Sequence, residues 1–259
     1  MNIPFYKYQG TGNDFILIDD RKEKFDPKDI NLIAAMCDRR FGIGADGLML
    51  LRNKSGYDFE MIYFNSDGNQ SSMCGNGGRC IVRFARDLSI IDTTCTFLAI
   101  DGLHEAIIME GNQVKLKMND VVDIKKDGNA IILDTGSPHY VIEKDTIDTL
   151  DVKSEGSRIR YSRKYSKEGI NVNFVQTGAD EIKVATYERG VEDETFSCGT
   201  GVTAAAIAIN NEKSDKLSSP VLVRTKGGNL KVYFQQIGKS AYTDIWLKGP
   251  ALRTFKGVW

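Results

Sequence analysis

The sequence predicts an α/β (α+β) fold in which strands dominate, a few helices pack inside them, and the chain divides into two related halves. Three observations carry this. Short apolar runs alternate with Gly, Asn and Asp turns along most of the chain, the mark of a meandering sheet. Two segments, one after Cys74 and one after Cys198, have helical spacing instead. Those segments also belong to a repeat: Tyr63 precedes Cys74 by 11 residues, Tyr187 precedes Cys198 by 11, and the cysteines are 124 residues apart. Each half thus runs strand, Tyr, turn-rich loop, Cys-Gly-x-Gly, helix.

Taken in order, FYKYQGTGNDFILIDD reads as two extended segments around a Gly-rich turn, with Phe15, Ile16, Leu17 and Ile18 ahead of an acidic stop. Asp26 followed by Pro27 predicts a helix start, because proline's missing N–H costs nothing in the first turn, and Leu32, Ile33, Met36 and Cys37 continue with helical spacing. FGIGADG breaks that pattern, LMLLR and YDFEMIYF return to strand composition, and NSDGNQSSMCGNGG is a long turn-rich segment. The helix after it carries Gly77, Cys80, Ile81, Phe84, Ala85 and Leu88 on one face. From about Phe97 to Phe174 the chain reads as a meander of short strands, and EIKVATYERG leads to the second Cys-Gly pair. The helix GVTAAAIAI is apolar nearly all round, which predicts burial inside a wrapping of strands.

A chain of 259 residues can bury a large core without help from disulfides or metal. Its 34 Lys plus Arg against 35 Asp plus Glu leave a net charge of -1, with no positive field to attract nucleic acid or an anionic membrane surface. The start MNIPFYKYQG lacks a signal peptide's apolar core, and no apolar stretch approaches the roughly 20 residues that span a bilayer; a cytoplasmic protein is expected. The five cysteines, at 37, 74, 80, 95 and 198, are too few and too scattered for a disulfide framework. No two of them have metal-ligand spacing, and only His104 and His139 are present to complete a site, so no metal is expected.

The chemistry lies in the repeat. Cys74 and Cys198 each precede Gly-x-Gly at the mouth of a helix, where unpaired backbone N–H groups and the macrodipole favour anions. A thiol there ionises more readily than at its ordinary pKa of about 8.5. The same N–H groups, unobstructed at Gly75, Gly77, Gly199 and Gly201, could hold a substrate carboxylate. If the two mouths face one another, a carbanion between them meets a sulfur on either side, and inversion of a stereocentre needs a base on one face and an acid on the other. Cys37, Cys80 and Cys95 read as small buried hydrophobes. His139 reads equally as a turn residue or as a group that tunes thiol ionisation.

GTGNDF, RRFGIGADG, YFNSDG, MCGNGGRC, GSPHYV, GINVNF, YERG and SCGTG occur in an order that resembles the diaminopimelate epimerase family over nearly the whole chain. The resemblance implies an isomerase that interconverts LL- and meso-2,6-diaminopimelate, on the route to lysine and peptidoglycan, with neither metal nor pyridoxal phosphate. It implies two pseudo-symmetric lobes, each a curved, mostly antiparallel sheet or barrel around a central helix. Residues 1–118 plus about 249–259 would form one lobe and 119–248 the other, within a homodimer. By position, Cys74 and Cys198 would be the acid–base pair, and Gly75, Asn76, Gly199 and Thr200 would bind the reacting carboxylate. Asn13, Asn65, Asn171, Glu188 and Arg189 would hold the substrate's far end, with His139 and Glu188 influencing the thiols. Two positions depart from the family's pattern: Gly47 stands in place of a glutamine, and Ser137 in place of an asparagine. A proline racemase-like enzyme shares the paired cysteines and the CGTG motif, but typically has His where this chain has Asn76. A non-catalytic small-molecule binding protein, or a redox sensor joining Cys74 to Cys198, is the reading from a different class.

Overall fold

The computed structural model describes residues 2–71, 73–213 and 217–259, and these fall into two compact units: Met1–Leu116 with Gly249–Trp259, and Lys117–Lys248. Among the described residues, no helix is long and apolar enough to cross a membrane.

The first unit contains β1 (Pro4–Gly10), β2 (Asn13–Asp19), α1 (Ile30–Cys37), β3 (Gly47–Arg52), β4 (Phe59–Asn65), α2 (Gly75–Asp87), β5 (Thr94–Ala99), β6 (Gly102–Met109) and β7 (Gln113–Lys117). Consecutive strands pair antiparallel except at two steps, β2–β3 and β4–β5, which are parallel. A parallel neighbour cannot be reached by a hairpin, so each of those steps needs a crossover. The crossovers are α1 and α2.

Near-continuous burial of β2 and β3 explains the runs FILI and LMLL: both faces of this sheet region are covered, so strict alternation disappears. One face, with Ile16, Ile18, Leu48, Leu50 and Phe64, packs with Ile33, Met36 and Cys37 of α1. On the other lies α2, whose Phe84 ring meets those of Tyr6 and Tyr8, and whose Gly77 lies against Met49.

In the second unit are β8 (Ile124–Asp127), β9 (Ala130–Asp134), β10 (Pro138–Glu143), α3 (Val152–Arg160), β11 (Asn171–Thr177), β12 (Glu181–Glu188), β13 (Asp193–Thr195), α4 (Gly199–Glu212), β14 (Val221–Thr225), β15 (Gly228–Gly238) and β16 (Ala241–Pro250). The parallel steps recur at the same points of the succession: β10–β11 through α3, and β12–β14 through α4. The last strand, β17 (Leu252–Val258), pairs antiparallel with β1 in the first unit. Each unit is thus a mostly antiparallel sheet with two crossover helices, and no pairing that closes it into a barrel is seen among the described residues.

Three details differ from the sequence expectation. The first helix begins at Ile30 rather than at Asp26-Pro27, because the Asp29 carboxylate accepts from Leu32 N–H at 3.0 Å, while Asp26 stabilises the turn before it by accepting from Lys28 N–H at 2.9 Å. The stretch read as a pure meander contains α3, capped by Asp151, which accepts from Ser154 N–H at 3.0 Å. Its Gly156 argues against a helix in sequence, but a Cβ there would lie 2.3 Å from Tyr187 Cβ, so the helix reaches β12 only where a side chain is missing. In α2, burial from Gly75 to Val82 is complete around the helix, wider than the single face predicted, whereas Leu88 is half-exposed.

Candidate active site

In the first unit, Cys74 is the N-cap of α2, with extended backbone (φ -106°, ψ 145°), and its sulfur accepts from Gly77 N–H at 3.2 Å. Sulfur thus occupies the place of the usual capping oxygen, and negative charge on it would be stabilised by a donor and by the helix dipole together. Asn13, the first residue of β2, lies alongside: its Oδ1 accepts from Cys74 Sγ at 3.8 Å and from Asn76 Nδ2 at 3.3 Å. Asn13 Nδ2 donates to Asp46, and Asp46 pairs with Arg39 at 2.5 Å. Arg39 also pairs with Asp14 at 2.7 Å, which Lys7 meets at 2.5 Å. Burial pushes the Asp14 carboxyl up, but Arg39 and Lys7 outweigh it and hold the group below the usual carboxylate range. An amide next to the thiol is thereby fixed by a charged network that sequence reasoning did not include.

Beneath the same mouth lies Arg79, which donates from Nη1 to Gly75 O at 3.1 Å and from Nη2 to Asn76 Oδ1 at 2.9 Å. Its signal in the sequence is a cation inside an otherwise buried helix, MCGNGGRC, which the apolar-face reading passed over.

In the second unit, Cys198 is the N-cap of α4 (φ -110°, ψ 115°), buried, with its sulfur 3.4 Å from Thr200 Oγ1. Thr200 O accepts from Thr135 Oγ1 at 2.9 Å. Successive residues of β11 point to opposite faces, so Val172 and Phe174 join the α3 core while Asn173 meets the α4 mouth: a Cβ on Gly201 would lie 2.4 Å from Asn173 Oδ1. Asn173 also accepts from Thr186 Oγ1 at 2.9 Å and donates from Nδ2 to His139 Nδ1 at 3.0 Å. That donor assigns His139 the tautomer with its proton on Nε2, an atom that is buried and finds no hydrogen-bond partner among the described residues. Burial, with the positive charge of Arg189 second, pushes the His139 pKa down to about 3, so the ring is neutral at physiological pH.

Asn171, opposite His139 in the parallel register, donates to Ser137 Oγ at 2.8 Å and to Pro138 O at 3.2 Å, and accepts from Arg189 N–H at 2.9 Å. The Arg189 guanidinium donates to Glu168 O at 3.0 Å and lies 3.5 Å from Ser137 Oγ. Ser137 therefore bridges two of the anticipated ligands with the one hydroxyl it has. Glu188 ends β12 immediately before Arg189.

Within the first unit, then, hydrogen bonds bring together Cys74, Gly75, Asn76 and Asn13. Asn65 stands apart, exposed at the end of β4, its backbone bonded to Asn69 and Gly68 of the following turn. Within the second, one network joins Asn171 to Arg189, and another gathers His139, Asn173 and Gly201 around the mouth that begins with Cys198, Gly199 and Thr200. Gly47 has a steric reason: a Cβ there would fall 2.4 Å from Phe64 O and 2.5 Å from Tyr63 Cε2, so this backbone admits no side chain. A groove of about 1030 Å³ in the first unit, lined by Ile3, Tyr6, Phe25 and Leu32 among others, contains none of the anticipated residues.

The family model described as diaminopimelate epimerase matches residues 5–124 and 131–251, one segment in each half. A diaminopimelate epimerase of Flavobacterium psychrophilum is 53% identical over 252 residues, covering 97% of this chain and 98% of that one. One from Chlorobaculum tepidum is 42% identical over 259 residues, covering 96% and 98%. Among solved structures, a phenazine biosynthesis protein of the PhzF family from Bacillus anthracis superposes with a TM-score of 0.80 over 100% of this chain and 99% of that one, at 12% identity, which is a likeness of fold. The sequence relationship goes further than the fold, spans both halves, and assigns the chain to the diaminopimelate epimerase family.

Proposed function

We propose that the chain interconverts LL- and meso-2,6-diaminopimelate, with Cys74 and Cys198 as acid and base, exchanging roles with the direction of reaction. One observation carries the reading: each thiol is the N-cap of a crossover helix that starts with Gly-x-Gly, in a family named for this epimerisation. Inversion takes a proton from one face of a carbon and returns one to the other, so it needs a base and an acid of the same chemical kind, and the chain supplies two thiols, each at the start of a Gly-x-Gly helix. N–H groups at Gly75 and Asn76, and at Gly199 and Thr200, are suited to the charge that grows on the reacting carboxylate as the proton leaves.

Asn171 and Arg189 share one hydrogen-bonded network and are assigned, with Asn13, Asn65 and Glu188, to the distal ammonium and carboxylate. His139, held neutral, and Glu188 are assigned to tuning the thiols. A proline racemase-like activity is disfavoured because relatives at 53% and 42% identity carry the diaminopimelate epimerase name. The two units are assigned as the lobes of a cytoplasmic homodimer, the state that the resemblance implies; analytical ultracentrifugation reads it directly.

Incubation of LL-diaminopimelate with the protein in deuterium oxide is expected to give the meso isomer, with deuterium at one α-carbon of each molecule. Cys74→Ala and Cys198→Ala should each lower the rate by about 10²–10⁴-fold while circular dichroism shows a retained fold. Full activity in either variant would end the two-thiol scheme.

A further inference from the structure

Successive residues of a strand point to opposite faces of its sheet, and in the first unit the two faces serve different helices. Ile16, Leu48 and Phe64 belong to the α1 side. Phe15, Met49 and Tyr63, each one residue out of step with those three, belong to the α2 side. The Phe15 and Tyr63 rings meet edge to face with centroids 6.0 Å apart, and Met49 is opposite Tyr63 in register. Met49 in turn lies 3.4 Å from the place of a Cβ on Gly77, in the first turn of α2.

One end of this face is formed by the start of β2, the start of β3 and the end of β4, where Gly47 lies beside Phe15 and opposite Asn65. Asn13, at that start of β2, already meets Cys74 and Asn76. The loop that leads to Cys74 leaves from the same end, and its Ser71 N–H donates to Tyr63 O at 2.9 Å. Tyr63 stands two residues before Asn65, on the same face, and its buried ring leans toward the strand end. Its Cε2 is 2.5 Å, and its hydroxyl 2.9 Å, from the place of a Cβ on Gly47. The tip of the phenol therefore lies over the bare backbone of Gly47, at the sheet end that carries Asn13 and Asn65.

The other tyrosine of the repeat is placed differently. Tyr187, also 11 residues before a cysteine, packs on Gly156 of α3, and its hydroxyl donates to Glu192 at 3.0 Å. Its neighbour Thr186 is the residue that faces α4, with Oγ1 3.3 Å from the place of a Cβ on Gly201. Equal spacing in sequence thus puts the two tyrosines on opposite faces, Tyr63 toward the helix that its cysteine caps and Tyr187 away from the corresponding one. Packing and Glu192 account for Tyr187. For Tyr63 the chemistry of the sheet end matters: position 47 brings no side chain to it, and the adjacent strand brings an O–H donor on a rigid ring with two rotatable bonds.

We propose that Tyr63 is a specificity-determining residue of the first unit, whose hydroxyl, held over Gly47, donates a hydrogen bond to the distal carboxylate of the substrate. It supplies from β4 the polar group that Gly47 leaves out of β3. The proposal rests on the diaminopimelate reading and deepens it, by adding a far-end contact to Asn13 and Asn65. A hydroxyl that binds a carboxylate remote from the reacting carbon acts on substrate affinity rather than on proton transfer.

The test is steady-state epimerisation of LL-diaminopimelate by the wild-type protein and by Tyr63→Phe, which removes the hydroxyl and keeps the ring. KM should rise about tenfold or more in the variant, the loss of one hydrogen bond to a charged group, with kcat within about threefold of wild type and an unchanged melting temperature. Lysine, which has the distal ammonium and lacks the distal carboxylate, should inhibit the two proteins to the same extent. An unchanged KM overturns the proposal. So does an early melt, or a joint fall in kcat and rise in KM, because the hydroxyl then supports the fold instead of the substrate. Weaker inhibition of the variant by lysine, in parallel with the higher KM, also overturns it. A wild-type protein that neither turns over nor binds diaminopimelate defeats the functional reading itself, whereas an active wild type with an indifferent Tyr63→Phe variant defeats the role of Tyr63 alone.

Discussion

The mouths of α2 and α4 are built from one local recipe and end up in different surroundings. Both begin with an N-cap cysteine in extended backbone, followed by Gly-x-Gly, and both helices carry a parallel crossover of their sheet. Around Cys74 the neighbours are charged or tied to charge: Asn13 is fixed through Asp46 and Arg39, and Arg79 lies underneath. Near the α4 mouth the hydrogen-bonded groups include Thr200, Thr203, Asn173 and the uncharged His139. The difference teaches that a repeated backbone fixes where a thiol stands, while the side chains packed behind it decide how readily it ionises.

A second contrast concerns the guanidinium groups. Nine residues before Cys74 stands Asn65, and nine before Cys198 stands Arg189, both exposed just where a strand ends. The second unit thus presents a guanidinium outward, at the position proposed to meet a substrate carboxylate, while the first hides one behind its helix. The two arginines are not interchangeable, since one is exposed past a strand end and the other is buried against the Gly75 carbonyl.

The contrast can be broken or sharpened in three further ways. Gly201→Ala should have the largest effect, because the new methyl group would lie 2.4 Å from Asn173 Oδ1 in a fully packed site, whereas a methyl on Gly77 meets Cys74 Sγ and Met49 at an ordinary 3.4 Å. We expect Gly201→Ala to lose about 1–3 kcal/mol in urea unfolding. Gly77→Ala should be neutral or gain up to about 1 kcal/mol from helix propensity. Equal losses in the two would show that the mouths are packed alike.

Arg189→Ala should raise KM for diaminopimelate by about 10–100-fold with a smaller change in kcat, the cost of one charge-assisted contact. An unchanged KM would remove Arg189 from the binding role and with it the outward half of the second contrast.

The smallest effect is a slope. Folded His139 resists protonation down to about 3, while the unfolded residue accepts a proton near 6.5. The unfolded state therefore binds more protons between those values, and stability falls as pH drops through that window, by at most about 1.4 kcal/mol per pH unit. Carboxylates such as Asp14, held below the ordinary carboxylate range by Arg39 and Lys7, add their own loss only at the acid end. Melting curves of wild type and His139→Gln between about pH 6 and 4.5 should diverge, the variant showing the shallower slope. Parallel curves would mean that His139 is protonated in the folded protein.

Much of the site could be read before the fold was seen, and the reason is local. An N-cap cysteine, the glycines after it and the turn before it are set by residues next to one another in the chain, so Cys74, Gly75, Asn76, Cys198, Gly199 and Thr200 stand where spacing put them. The helix starting at Val152 was hidden because Gly156 argues locally against it and only its fit against Tyr187 favours it. Arg79 was read past because a charge on a helix looks like a solvated face until strands and the β16 end at Pro250 are known to close over it.

By itself, then, the chain's order of residues determined the repeat, the two thiols at helix starts and the family to which the protein belongs. Tertiary structure alone decided what each sulfur has for company. Asn13 lies 61 residues from Cys74, and Pro250 lies 171 from Arg79, in sequence. Strand pairing, not spacing, brings such groups within hydrogen-bond distance, and the ionisation of a half-buried thiol depends on the charges and donors found there.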